Sequence, residues 1–203
     1  MRRILAAAVV GGVVVFTWGA VAHMVTPLGM AGMKLLPRED ATIQALHGSI
    51  PQNGLYIFPA QGVTSKDEAV QKAWLEKYRR GPTGMLVYQA TGSEPMTGRM
   101  LGVELFSDLV AALIAALLVS WMAVTYPVRV AAVFLLALFE FFSLSLGYWN
   151  WYGFPPAYIG AELVTEAVGW LLAGLVIARL VPGRLHGVGA RPAAAPVAVA
   201  AIG

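Results

Sequence analysis

Long apolar runs dominate this chain of 203 residues. A helix needs about 20 mostly apolar residues to cross the roughly 30 Å of hydrocarbon in a bilayer. Four runs meet that requirement: Ile4 to Met24, Val103 to Tyr126, Val130 to Tyr148 and Tyr158 to Val181. Their apolar residues are continuous rather than confined to one helix face, as they would be in an amphipathic helix. The pattern therefore predicts four transmembrane helices, the last three of them within residues 103–181.

The segment between the first two runs, residues 25–102, has Pro, Gly and charges at the density of a water-soluble protein. Ser65-Lys66-Asp67-Glu68 has the form of a capping box and predicts a helix from about Lys66 to Arg80. A weaker pattern predicts another from about Arg38 to His47. Two short aromatic and β-branched runs predict strands: Leu55 to Phe58 and Met85 to Tyr88. The expected fold is mainly α, with four transmembrane helices and a small α+β domain between the first and the second.

Basic residues near the ends of the runs predict the orientation, because Lys and Arg are retained on the cytoplasmic side. Six arginines fall on one side of the predicted spans: Arg2, Arg3, Arg129, Arg179, Arg184 and Arg191. Both termini are therefore expected in the cytoplasm, with residues 25–102 outside and residues 182–203 as a flexible tail. The alternative is a cleaved secretory signal ending at Ala20-Val21-Ala22. Its apolar run would exceed the usual 7–15 residues, so residues 1–24 are expected to be an anchor.

The composition agrees with a membrane protein and narrows the chemistry. Charged residues make up 12% of the chain and hydrophobic residues 58%, against about 25% and 45–50% in soluble domains. The absence of cysteine excludes disulfides and thiolate sites. Phosphate-binding, dinucleotide-binding, zinc and serine-hydrolase motifs are absent as well. No metal or cofactor is predicted, and nucleic acid is not expected as a partner because arginines that set topology explain the net charge of +3.

Five acidic residues lie in or at the edges of the predicted spans: Glu104, Asp108, Glu140, Glu162 and Glu166. Ionisable groups inside a membrane are costly and are candidates for function. At about 1.5 Å per residue, Asp108, Glu140 and Glu166 are predicted roughly 8–12 Å below the outer ends of their helices. Together with Glu104, Glu162 and His23 nearer the outer end, they are candidates for one ion or proton site open to the outside.

Structural interpretations of these acids stand beside the functional one. Glu104 and Glu162 are predicted in the first turns of their helices, where the dipole favours a carboxylate, so capping is favoured for both. The three deeper acids either bind an ion or proton or hydrogen-bond between helices. Beside the acids run small residues that predict contact between the second and fourth spans: Ser107, Ala111 and Ala115, and Ala161, Thr165, Gly169 and Ala173. His23 is expected to be a polar interface residue rather than a ligand.

Aromatic residues cluster between the third and fourth spans. The cluster comprises Tyr148, Trp149, Trp151, Tyr152 and Phe154. Trp and Tyr gather at membrane interfaces, so an aromatic belt is the favoured interpretation. A contact with a quinone or a pigment is the alternative.

Three stretches of the chain carry a family resemblance. They are Trp18-Gly19-Ala20-Val21-Ala22-His23-Met24, Ser49-Ile50-Pro51 with Gly54-Leu55-Tyr56, and Tyr148-Trp149-Asn150-Trp151-Tyr152-Gly153-Phe154-Pro155. They resemble a family of small bacterial four-helix membrane proteins of unknown function. The resemblance implies a protein of the bacterial inner membrane with this topology, and it implies no activity.

These observations favour a non-enzymatic structural or accessory subunit of a larger membrane complex. Its expected partners are the bilayer and either another membrane protein or a second copy of the chain. The alternative is a small proton- or cation-coupled carrier that uses Asp108, Glu140 and Glu166. An enzyme acting on lipid, with His23 and the carboxylates as acid and base, is a third hypothesis.

Overall fold

Helices make up 71% of the residues described in a computed structural model, which are residues 1–60 and 64–181. In this part of the chain, four helices are long and apolar enough to cross a membrane. The prediction of a mainly α protein with four candidate spans is confirmed. The predicted tail, residues 182–203, lies outside the described residues.

The first half of the chain forms one candidate span and a small sheet. Helix α1, Arg2–Met24, leads into a 3-10 turn at Pro27–Met30. The elements that follow are α2 (Glu39–Ser49), β1 (Gly54–Phe58), α3 (Glu68–Arg80) and β2 (Gly84–Tyr88). The strands pair antiparallel, with Gly54 opposite Tyr88 and Phe58 opposite Gly84. The helices and strands predicted in this inter-span segment, residues 25–97, are confirmed to within two residues at each end.

The cap of α3 differs from the prediction. Asp67 Oδ1 accepts hydrogen bonds from the backbone N–H of Ala69, at 2.8 Å, and of Val70, at 3.3 Å. Ser65, the predicted cap, instead accepts from the N–H of Asp67 at 3.2 Å. A carboxylate at the cap satisfies free N–H groups and also carries the charge that the dipole favours. The helix therefore starts after Asp67.

The second candidate span lies five residues earlier than predicted at both ends. Helix α4 covers Gly98–Trp121 instead of residues 103–126. Thr97 fixes its start, because its Oγ1 accepts a hydrogen bond from the N–H of Met100 at 3.1 Å. The connection to the third span lies at residues 122–125. Pro127, expected in the turn, belongs to the first turn of the next helix, where its missing N–H costs no hydrogen bond.

The third candidate span is longer than predicted, and the fourth begins earlier. Helix α5 (Tyr126–Glu140), a π-helical segment (Phe141–Ser145) and α6 (Leu146–Tyr152) form one span of 27 residues. The predicted span covered only residues 130–148. Gly153 ends the helix in the left-handed conformation, with a φ of 72°, which glycine adopts without strain. Helix α7, Pro156–Leu180, begins two residues before the predicted start at Tyr158.

The chain divides into two compact units. Among the described residues, the first unit comprises Met1–Gly19, Glu104–Ala137 and residues 167–181. The second comprises Ala20–Val103 and Leu138–Glu166, and so includes the inter-span segment. Each of the four long helices contributes a part to both units.

The first unit has a core of small side chains. Its buried cluster includes Ala7 of α1, Ala112, Ala115, Ala116 and Val119 of α4, Val133 of α5, and Ala173 and Ile177 of α7. A methyl group on Gly12 would lie 2.8 Å from the Cα of Leu109, so α1 and α4 approach backbone to backbone. Gly174 likewise lies against Val133 and the carbonyl of Val130. Close approach of this kind is what holds helices together in lipid.

Two polar contacts add to this core. The guanidinium of Arg129 donates to the carbonyl oxygen of Val181 at 2.6 Å. The hydroxyl of Tyr126 donates to the carbonyl oxygen of Leu175 at 3.0 Å. Both bonds join the start of α5 to the last part of the fourth span.

The predicted small-residue stripes are present in part. Ala161, Thr165, Gly169 and Ala173 are all buried. In the first unit, Ala115 of the second span and Ala173 of the fourth belong to one buried cluster, and the predicted contact of the two spans beside the acids stays a prediction. Ser107, however, is exposed, so the stripe on α4 is shorter than predicted. Its hydroxyl donates to the carbonyl of Glu104 at 2.8 Å and is satisfied within its own helix.

We expect Gly12→Ala to lower the free energy of unfolding by about 1–3 kcal/mol, because the added methyl group meets backbone atoms of Leu109 that cannot move aside. Unfolding in mixed detergent micelles measures the loss. Gly19→Ala on the same helix is the matched control, since no described atom beyond its chain neighbours and the adjacent backbone of its own helix lies within 4 Å of the added methyl group. It is expected to be neutral or slightly stabilising, because alanine favours the helix. Equal losses at both positions would contradict the close approach.

Candidate functional site

Glu104 and Glu162 are not helix caps, contrary to the prediction. Because α4 begins at Gly98 and α7 at Pro156, each glutamate is the seventh residue of its helix and lies beyond the first turn. Thr97 caps α4, as described above, and proline occupies the first position of α7, which suits a residue without an N–H. Both carboxylates therefore need another explanation.

Because the helices begin earlier or end later than predicted, Asp108, Glu140 and Glu166 lie nearer the middle of their helices than expected. Asp108 and Glu166 each stand ten residues after the first residue of their helix, which is about 15 Å along the axis. Glu140 stands twelve residues before Tyr152, or about 18 Å from that end of the third span. The predicted distance of roughly 8–12 Å was too short because the predicted spans began late or ended early.

Two acids of the first unit form a pair on α4. Glu104 and Asp108 are one helical turn apart, close enough for their charges to interact. Asp108 is half-buried, whereas Glu104 is exposed on the helix surface. An exposed carboxylate at this point of a candidate span is unusual, because intramembrane acids normally face other protein groups or water.

In the second unit, Glu140 is the acid with the most constrained surroundings. It immediately precedes the π-helical segment Phe141–Ser145, and such segments occur often at functional sites. The hydroxyl of Ser145 makes a long contact of 3.5 Å with Glu140 Oε1. Glu140 Oε2 is buried and has no hydrogen-bond partner among residues 1–60 and 64–181. Leaving a buried acceptor unpaired costs about 1–3 kcal/mol.

Glu162 of α7 lies close enough to Glu140 for their charges to interact. It also interacts with Tyr158, one turn before it. Glu166 is half-buried and makes interactions of its own. His23, in the last turn of α1, is exposed. The structure thus brings Glu140 and Glu162 together, and a site that also includes Asp108 stays a prediction.

Among the described residues, no three His, Asp or Glu side chains are placed to hold a metal ion together. The acids instead form two pairs: Glu104 with Asp108, and Glu140 with Glu162. Two carboxylates whose charges interact can together attract a single cation. Neither pair has the ligand number that a tightly bound divalent cation requires.

The predicted aromatic cluster lies partly on a helix rather than in a loop. Residues 149–152 extend the helix, and only Gly153, Phe154 and Pro155 separate the third and fourth spans. The ring of Tyr148 lies 6.0 Å from that of Tyr152 and 5.3 Å from that of Phe154. Trp149, Trp151 and Tyr152 are exposed, as expected for residues at a membrane interface.

Next to this cluster lies a cavity of about 530 Å³ that the sequence did not reveal. It opens between the inter-span segment and the end of α6, within the second unit. Its aromatic walls are Phe58, Trp74, Tyr78, Trp151 and Tyr152. Cavities of roughly 300–1,000 Å³ commonly bind small molecules.

Trp74 holds one wall of this cavity in place. Its indole N–H donates to the carbonyl oxygen of Pro59 at 2.8 Å, which ties α3 to the end of β1. Its ring lies 5.4 Å from that of Tyr78. Trp74 and Tyr78 are four residues apart, and this spacing was the available signal in the sequence for an aromatic face on α3.

Comparisons with known proteins yield no family model, no curated protein and no solved structure that matches this chain. The class of protein therefore rests on its fold. Four helices long and apolar enough to span a bilayer support a multi-pass membrane protein.

Proposed function

We propose that this chain is a non-enzymatic accessory or structural subunit of a larger complex in the bacterial inner membrane. Both termini lie in the cytoplasm, and the inter-span segment lies outside. The orientation is supported by the arginines of the first unit, since Arg2, Arg3, Arg129 and Arg179 all belong to it. Basic residues at the cytoplasmic ends of spans are the usual determinant of orientation.

The exposure of Glu104 is the observation that carries the proposal of a partner. Glu104 lies about 9 Å from the start of α4, on the surface of a helix of 24 residues. Contact with lipid would be costly for a carboxylate at this position. A basic or hydrogen-bonding group of a second protein, or of a second copy, would satisfy it. The exposed Ser107, one turn further on, extends this polar surface.

A second candidate function is a small proton- or cation-coupled carrier, and Glu140 is the observation that favours it. Its unpaired Oε2, the π-helical segment after it and the nearby Glu162 form an acceptor site inside a candidate span. Intramembrane carboxylates with such surroundings occur in proton relays. We rank this function second because no route for a substrate is evident in the described residues.

Single cysteines test the orientation, since the chain contains none of its own. Ser93→Cys, in the inter-span segment, is expected to react with a membrane-impermeant maleimide in intact spheroplasts. Thr125→Cys, between α4 and α5, is expected to react only after lysis. Both positions are exposed, so accessibility in detergent provides the control. The reverse pattern of labelling would overturn the proposed orientation.

A photo-crosslinking amino acid at Ser107 tests the proposed partner. Irradiation in membranes is expected to give a discrete protein adduct, and Glu104→Gln is expected to reduce its yield severalfold. An adduct heavier by 21.6 kDa identifies a second copy of the chain. The matched control is the same amino acid at Phe139, which is 73% exposed on the third span and is expected to give lipid adducts only. Lipid adducts alone at Ser107 would contradict the accessory-subunit proposal.

Flux in proteoliposomes separates the two candidate functions. If the chain is a carrier, replacing Asp108 with Asn, and Glu140 and Glu166 with Gln, is expected to lower proton or cation flux at least about tenfold. Replacing the exposed Glu104 alone is the control. Flux equal to that of empty liposomes, before and after the replacements, excludes the carrier and agrees with the accessory subunit.

A further inference from the structure

The cavity beside the aromatic cluster plays no part in the proposed function, and its lining has a distinctive chemistry. None of the described residues that line it carries a charge. Five of them present aromatic rings, as named above, and the lining also includes Ile57 and Met85. The part of a ligand enclosed here must therefore be uncharged, since no group is present to neutralise a buried charge.

Between the aromatic rings, the lining carries polar side chains that can donate hydrogen bonds. They include the hydroxyls of Tyr78, Thr83 and Tyr152 and the amide of Asn150. A few placed donors among rings suit a flat molecule with carbonyl acceptors on its edge. The hydrocarbon part of an acyl chain has no acceptor for these groups.

The position of the cavity indicates how a ligand would enter. Tyr152 is the last residue of the third candidate span, so the cavity lies at the end of a membrane-crossing helix. The ring of Tyr152 is held by that of Tyr148, 6.0 Å away. Trp151 is 79% exposed, so its ring is accessible to a molecule arriving from the lipid interface. A ligand with an apolar tail could keep that tail in the bilayer.

We propose that this cavity binds the ring of a neutral, lipid-soluble quinone, with its carbonyl oxygens accepting hydrogen bonds from the tyrosine, threonine and asparagine side chains. The tail remains in the membrane. The inference concerns binding, and it holds whether the chain acts as an accessory subunit or as a carrier.

Decylubiquinone is the probe, and the full chain in lipid nanodiscs is the sample. Equilibrium dialysis against empty nanodiscs measures binding above partition into the lipid. We expect saturable binding at about one quinone per chain. Trp151→Ala is expected to weaken it about tenfold, because an aromatic contact contributes up to about 1.5 kcal/mol, and Trp151→Phe is expected to restore most of the affinity.

Trp149→Ala is the matched control, because Trp149 is an exposed residue of the same helix and is not among the described residues lining the cavity. It is expected to leave binding unchanged. Equal weakening by both alanine variants would overturn the proposal, since it would indicate binding along the aromatic belt. So would the absence of saturable binding, or competition by decanol, which has the chain without the ring, or by diacetylchitobiose, a neutral sugar. Failure of both compounds to compete supports the quinone site.

Discussion

Close backbone approach between helices is the constraint on which the first unit depends. Lipid is as apolar as leucine, so burying large hydrophobic side chains between spans gains little over leaving them in the bilayer. The distribution of residues follows from this. Glycine and alanine occupy the contacts, as at Gly12 and Ala112, whereas Phe106 and Ile114 are exposed. Helix α1 belongs to this core through Ala7, Gly11 and Gly12, which makes it a packing element and not merely an anchor.

The acids contrast with this apolar packing, because a carboxylate in a membrane span has an unfavourable free energy unless a hydrogen bond, an opposite charge or water stabilises it. Glu140 has only a long contact from Ser145 on one oxygen and lacks a partner on the other within the described residues. Glu104 is exposed where lipid would surround a lone span. Glu140 therefore supports a site for a proton or a cation inside the protein, whereas Glu104 supports a contact with a second protein. The two candidate functions rest on these different residues.

The parts of the structure that depend on composition and local pattern were predictable, and those that depend on tertiary contacts were not. Run length alone predicted four spans, and short aromatic and β-branched runs bounded by Gly and Pro predicted both strands. Span ends were missed because single residues decide them: the side chain of Thr97 starts α4 early, and the backbone conformation of Gly153 stops α6 late. The pairing of Glu104 with Asp108 follows from helical spacing. The interaction of Glu140 with Glu162 joins residues of two helices. The cavity requires α3 to lie near the end of α6. No local pattern in the sequence indicates either arrangement.

A double-mutant cycle at Gly11 and Ile177 tests the packing of α1 most directly. A methyl group on Gly11 would lie 2.8 Å from two side-chain carbons of Ile177, which is fully buried on α7. Ile177→Ala removes both carbons. Close approach predicts that Gly11→Ala destabilises the protein less in the Ile177→Ala background, with a coupling of at least about 0.5 kcal/mol in the free energy of unfolding in mixed micelles. Additive losses would show that α1 does not pack against α7 through these residues.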